Sequence, residues 1–281
     1  MTGATSGLGR IAAIELARQG AQLGVVARSQ QKVDDLIGEL NVVAPGTRVD
    51  TFIAELSSMD SVRRAGRQIE AHYDRIDVLI NNAGVHAFIP RVTPDGFAEM
   101  VAVNYLGPWV LTDTLRDKLI ASAPARVVTV ASEGARRAGN IDPAHDLTAT
   151  PRYTRHESLT LYNRSKLMDI MFSQELGRRL AGTGVTANCC DPGFNTTGLG
   201  RELPFAGLLE RSLRAMHVGD PRRGAAIVVK LATDPAFANT SGGYFSAKNA
   251  APLTCPEPGR SPKIQAALWE ATAALDCTDT R

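Results

Sequence analysis

Cysteine is scarce in this chain. Cys189, Cys190, Cys255 and Cys277 form neither a Cys-x-x-Cys pair nor a metal-ligand spacing with any of the five histidines. Neighbouring residues on a strand point to opposite faces, so Cys189 and Cys190 read as fillers of a buried strand end rather than a redox pair. No charge of one sign dominates either. Lys plus Arg number 31 against 29 Asp plus Glu, and the basic pairs Arg136-Arg137, Arg178-Arg179 and Arg222-Arg223 are scattered, which argues against a nucleic-acid partner. No run approaches the roughly 18 consecutive apolar residues of a membrane span, and the N-terminus has no basic-then-apolar signal pattern. A soluble, cytoplasmic chain is the expectation. There is no internal repeat, no low-complexity tract and no Gly-x-Ser-x-Gly elbow, so nothing supports a hydrolase.

What is present is alternation. Short β-branched runs take turns with longer helical patterns, the sequence form of an α/β fold with a mostly parallel sheet wrapped by helices on both faces. Strands are expected at Gln22–Ala27, Arg48–Ala54, Val78–Asn81, Arg126–Ala131, Val185–Cys190 and Gly243–Ser246. Helices are expected at Leu8–Gln19, closed by Gly20, and at Gln30–Leu40, Asp60–Tyr73, Pro94–Leu119, Ser158–Leu180, Pro221–Thr233 and Pro262–Leu275. One domain over residues 1–281, with 44% hydrophobic residues for its core, is the economical reading. Two regions break the alternation. Glu133–Glu157 reads as an irregular insertion. Residues 194–220 place Leu199, Leu203, Phe205, Leu208, Leu209, Leu213 and Met216 on one helical face, which fits either a lid over an apolar substrate or a surface helix packed on the core. Residues 251–281 form a C-terminal extension.

Two motifs carry chemistry. The turn Thr2-Gly3-Ala4-Thr5-Ser6-Gly7-Leu8-Gly9 has glycines placed for a tight bend, for close approach of backbone to a diphosphate, and for a helix N-terminus with unpaired N–H groups. The second is Tyr162 and Lys166, four apart on one helix face. Hydride transfer to a ketone builds alkoxide character on oxygen and needs a nearby proton source. A free phenol ionises near 10, and an adjacent cation such as Lys166 favours its ionised form. Ser132, at the carboxyl end of a strand, is placed to donate to the same oxygen. Each motif alone has a plain structural explanation, a glycine turn or a surface helix pair. At the second strand end, Val25-Val26-Ala27-Arg28 offers no carboxylate for a ribose 2'-hydroxyl. A guanidinium there grips a 2'-phosphate, so NADP(H) is favoured, with NAD(H) still open; a solvated surface arginine is the alternative.

In combination these residues resemble the short-chain dehydrogenase/reductase family. Thr2 to Gly9 match its glycine turn, Asn81 to Gly84 its Asn-Asn-Ala-Gly, and Asn104 its helix asparagine. Ser132 matches its serine, Tyr162 and Lys166 its Tyr-x-x-x-Lys, and Pro192-Gly193 its Pro-Gly, all in order from residue 2 to about 193. The long Ser132-to-Tyr162 interval, with Asp146-Leu147 and Tyr153, and the run Gly182 to Asn188 are most similar to the retinol-dehydrogenase-like branch. The resemblance implies a doubly wound, Rossmann-type sheet and a nicotinamide cofactor. It implies a small lipophilic alcohol or carbonyl substrate, and it is compatible with a homo-oligomer. It assigns Tyr162 as general acid/base, Lys166 as the residue that lowers its pKa and binds ribose, and Ser132 as the group that polarises the carbonyl. It assigns Asn104 to a water-mediated link from Lys166 to solvent. Cofactor contacts implied are Gly3, Thr5, Ser6, Gly7, Leu8, Gly9, Arg28, Glu55, Leu56, Asn81, Asn82, Ala83, Gly84, Tyr162, Lys166, Pro192 and Gly193. Thr197, or its neighbour Thr196, is assigned to the nicotinamide carboxamide. Glu55 departs from the aspartate usual in the family.

The family's first, central strand should precede Thr2, and the sequence lacks it. Its loss leaves two strand edges unpaired, a heavy cost for a fold stabilised by ~5 to 15 kcal/mol. Three origins are open: a gene start placed too late, favoured because a valine codon commonly precedes Thr-Gly; a truncated, catalytically impaired cofactor-binding or sensing protein; and a strand supplied by a partner chain.

Overall fold

The computed structural model describes residues 1–193 and 220–278. The lid candidates between Leu199 and Met216, and Thr196 and Thr197, lie outside the described residues. Six parallel strands form where β-branched runs were expected: β1 (Leu23–Ala27), β2 (Val49–Ile53), β3 (Val78–Asn81), β4 (Ala125–Val130), β5 (Val185–Asp191) and β6 (Tyr244–Ser246). β1 pairs with β2, Leu23 opposite Val49, while β3, β4, β5 and β6 pair in that order, with Val78 opposite Arg126 and Cys189 opposite Tyr244.

Between β1 and β3 run residues 1 and 2. Thr2 makes a parallel bridge to Val26, Val26 N donates to Met1 O at 2.9 Å, and Thr2 N donates to Ile80 O at 2.9 Å. Two residues therefore join the two strand groups into one twisted layer.

Helices cover both faces of this layer. On one side lie α1 (Gly7–Arg18), α2 (Gln30–Val43) and α9 (Pro221–Thr233). On the other lie α3 (Met59–His72), the segmented helix α4 (Glu99–Val101), α5 (Gly107–Thr114) and α6 (Arg116–Ala121), then α7 (Pro143–Thr148), α8 (Ser158–Arg179) and α10 (Pro262–Thr278). Strand alternation divides the core between them: Val127 and Cys189 pack in one apolar cluster, Val128 and Cys190 in the other. Both cysteines are buried, and burial pushes both thiols well up, so neither is a ready nucleophile.

Two expected boundaries shift. The helix predicted from Pro94 begins at Glu99, because Gly96 at φ +84° turns the chain and Thr93 Oγ1 accepts from Phe97 N. It then passes through a π-helical turn at Ala102–Leu106. The predicted irregular insertion, 133–157, holds α7, started by Asp142, whose carboxylate accepts from His145 N at 3.2 Å.

Candidate active site

The carboxyl ends of β1 to β5 open on a cavity of about 680 Å³. Its floor is the glycine turn. Gly3 and Gly7 have φ of +68° and +54°, conformations that a side chain resists. A Cβ on Gly9 would lie 2.1 Å from Gly3 O and 2.3 Å from Asn82 Nδ2, so only glycine fits there. The turn is locked from the β3 side: Asn82 Nδ2 donates to Thr2 O and Gly3 O, and the backbone N–H groups of Asn82 and Ala83 both donate to Thr2 Oγ1 at 3.0 Å. Ser6 makes no side-chain cap on α1, which leaves that helix end free to receive an anion.

Thr5, Ser6, Leu8, Leu56 and Gly84 line the same cavity, as do Arg28 and Glu55 at the ends of β1 and β2. Pro192 and Gly193 close it after β5. Asn81 does not line it: its side chain is buried and donates to Thr112 Oγ1 at 2.9 Å. Of the Asn-Asn pair, Asn82 is the one that faces the cavity.

At the far end, β4 delivers Ser132 and α8 delivers Tyr162 and Lys166 to one wall. Tyr162 and Ser132 stand on the same wall, and the ring of His86 lies 5.0 Å from the Tyr162 ring. Burial raises the Tyr162 phenol above its ordinary value. Lys166 and Ser132 pull it down, as the spacing on α8 predicted for Lys166, but Asp169 and Asp191 push it further up. The net direction is upward.

Lys166 is itself buried. Its Nζ donates to Val130 O at 2.9 Å and to Asp169 Oδ2 at 2.8 Å. Burial alone would lower its pKa, but the Asp169 charge and the phenol of Tyr162 reverse this and hold it charged. Asn104 stands behind the wall rather than on it. Its Oδ1 accepts from Val85 N at 2.7 Å, and its Nδ2 donates to Val85 O and to Ser165 Oγ, whose own proton goes to Tyr162 O. A Cβ on Gly84 would meet Lys166 Nζ at 3.4 Å and Asn104 Oδ1 at 3.5 Å, so these groups converge.

A glycine turn at a helix end thus lies in one cavity with a phenol, an ammonium and a hydroxyl. The short chain dehydrogenase family model matches residues 1–144. Human retinol dehydrogenase 13 is 35% identical over 281 residues, covering 98% of this chain and 83% of that protein. The chain belongs to the short chain dehydrogenase family. It falls in the retinol-dehydrogenase-like branch and is an NAD(P)-dependent oxidoreductase. Among solved structures, an uncharacterized protein from Mycobacterium Paratuberculosis is similar with a TM-score of 0.76 and 28% identity, over 98% of this chain and 91% of that one. A blue fluorescent protein from a metagenomic library, in complex with NADPH, is similar with a TM-score of 0.67 and 26% identity, over 87% and 93%.

Within this short chain dehydrogenase, four residues at or behind the cavity wall carried no expectation from the sequence. Lys32 lines the cavity beside Arg28, one turn into α2. His86 donates to Ser158 Oγ, which spends its own proton on Arg155 O. Asp191, buried at the end of β5, accepts from Glu133 N and Gly193 N, each at 3.0 Å, and burial raises its carboxyl. Asp169, three residues after Lys166, had a legible signal in that helical spacing. His86 and Asp191 did not, because Ser158 and Glu133 come from segments far along the chain, and the place of Lys32 depends on how α2 docks at the cavity.

Proposed function

We propose that the chain is an NADP(H)-preferring enzyme that interconverts an alcohol and a ketone or aldehyde on a lipophilic small molecule. The observation that carries this is the convergence of Ser132, Tyr162 and Lys166 on one wall of the cavity that the glycine turn floors. Gly3 to Gly9 and the uncapped end of α1 would hold the diphosphate, and Arg28 with Lys32 a 2'-phosphate. When bound, the cofactor supplies or takes up the hydride. The protein's own residues do the rest. Ser132 orients the carbonyl oxygen, Tyr162 passes its phenolic proton to that oxygen during reduction and recovers it during oxidation, and Lys166 sets the charge around the phenol.

Preference for NADP(H) is supported by the cationic end of β1, where no carboxylate of that strand competes for a ribose 2'-hydroxyl. A lipophilic substrate is supported by the similarity to retinol dehydrogenase 13. A cofactor-sensing protein without turnover is the rival reading, and it has no explanation for three intact catalytic groups in one cavity. The test is oxidation of NADPH, with NADH in parallel, against a panel of carbonyls including retinaldehyde and decanal. Tight NADPH binding with no turnover across that panel would favour the sensor.

A further inference from the structure

Lys166 has a buried counter-ion that the proposed chemistry does not use. Its side chain is 5% exposed and that of Asp169 only 1%, with Nζ and Oδ2 2.8 Å apart on the inner face of α8. The other carboxylate oxygen, Oδ1, is buried with no hydrogen-bond partner among the described residues. A carboxylate in such a place is costly, since only one of its oxygens is compensated. It nonetheless ties Lys166 Nζ down beside Val130 O, leaving one N–H of the ammonium for the cavity side.

We propose that Asp169 is a positioning residue for this site: it anchors Lys166 and offsets part of its positive charge, so that the phenol of Tyr162 holds its proton more tightly than beside Lys166 alone. The inference rests on the reading of Tyr162 as general acid. Charge bookkeeping around the phenol supports it. The titratable groups near this cluster are Lys166 and Asp169 from α8, Cys189, Cys190 and Asp191 from β5, Tyr105 from the π-helical turn, and His86 above the Tyr162 ring. Lys166 is the cation that acts on the phenol, and Asp169 and Asp191 both act against it. Burial also pushes the Asp169 carboxyl itself up to about 6, against the pull of the Lys166 charge. Asp169 thus takes back part of what Lys166 provides.

The experiment is an ultraviolet difference titration of the Tyr162 phenolate in the full chain, with the matching Tyr162→Phe protein subtracted. In Asp169→Asn, which keeps an oxygen for Lys166 but no charge, the phenol is expected to titrate lower by about one pH unit, the scale of a nearby charge. The acid limb of decanol oxidation with NADP⁺ should move down with it. Asp169→Glu, which keeps the charge, should restore the original titration. An unchanged titration in Asp169→Asn overturns the inference. Should that variant not fold, Asp169→Ser, which also removes the charge, is titrated in its place, and an unchanged phenol there overturns the inference. These outcomes are separate from failure of the underlying reading, which would show as full activity in Tyr162→Phe.

Discussion

Arg28 and Glu55 stand at the carboxyl ends of neighbouring parallel strands, with their charged groups 3.9 Å apart at the rim of the cavity. Both side chains are well exposed, so such a pair is worth only about 0.2 to 1 kcal/mol. A dianionic phosphate competes for the guanidinium on favourable terms, because it offers more charge and bidentate geometry.

Cofactor choice should therefore depend on Arg28. Arg28→Ala is expected to weaken NADPH binding by about 1 to 3 kcal/mol, the range for charge-assisted hydrogen bonds, and to leave NADH almost unchanged. Fluorescence titration of both cofactors measures this. Equal losses for the two would refute the assignment.

Tyr162→Phe keeps the ring that packs against His86 and deletes only the hydroxyl. Cofactor affinity should survive while most turnover is lost. Steady-state rates together with a binding titration separate the two effects, and near-original activity would sink the proposed mechanism. Loss of NADPH binding instead would assign the hydroxyl a structural role.

Two glycines with opposite surroundings test the cradle. Gly9→Ala forces a Cβ against Gly3 O and Asn82 Nδ2, and it should cost about 1 to 3 kcal/mol of overpacking and displace the turn that meets the diphosphate. Gly38, inside α2, has open space where a Cβ would go, so Gly38→Ala should stabilise by about 0.5 to 1 kcal/mol. Thermal melts with and without NADPH check both. A Gly9→Ala protein that binds NADPH normally would remove the turn from the cofactor site.

The contact between α8 and α10 should be pH-dependent. Glu175, buried on α8, accepts from Arg178 and Arg179, and these in turn reach Gln265 and Glu270 on α10. Burial opposes ionisation of Glu175, but the two guanidinium groups outweigh it and hold the carboxyl below its usual range. A lowered folded value means that its stabilisation is complete above the unfolded value near 4.5 and is lost as pH falls below it. Glu175→Gln should thus cost about 1.5 to 3 kcal/mol at neutral pH, with the deficit shrinking in acid. Denaturant melts across that range give the answer, and a deficit that stays constant would contradict it.

Much of the molecule follows from local sequence. Strand positions were legible to within a residue or two because buried parallel strands are short apolar runs, and Pro221–Thr233 was legible to the residue because Asp220 and Pro221 start it. The glycine turn and the Tyr162-to-Lys166 spacing needed no tertiary information either, since both are contacts within one turn of chain. Tertiary structure alone decided the rest. That Asn82 rather than Asn81 faces the cavity follows from how β3 is rotated against α5. That Lys166 meets Val130 O, that Arg28 meets Glu55, and that His86 lies over Tyr162 depend on strand register and helix docking. Those bring together residues tens of positions apart, and no local pattern encodes such meetings. Burial is the other half of the difference: the spacing on α8 foretold the attraction between Lys166 and the phenol, but only the packed interior, with Asp169 inside it, determined that desolvation outweighs that attraction.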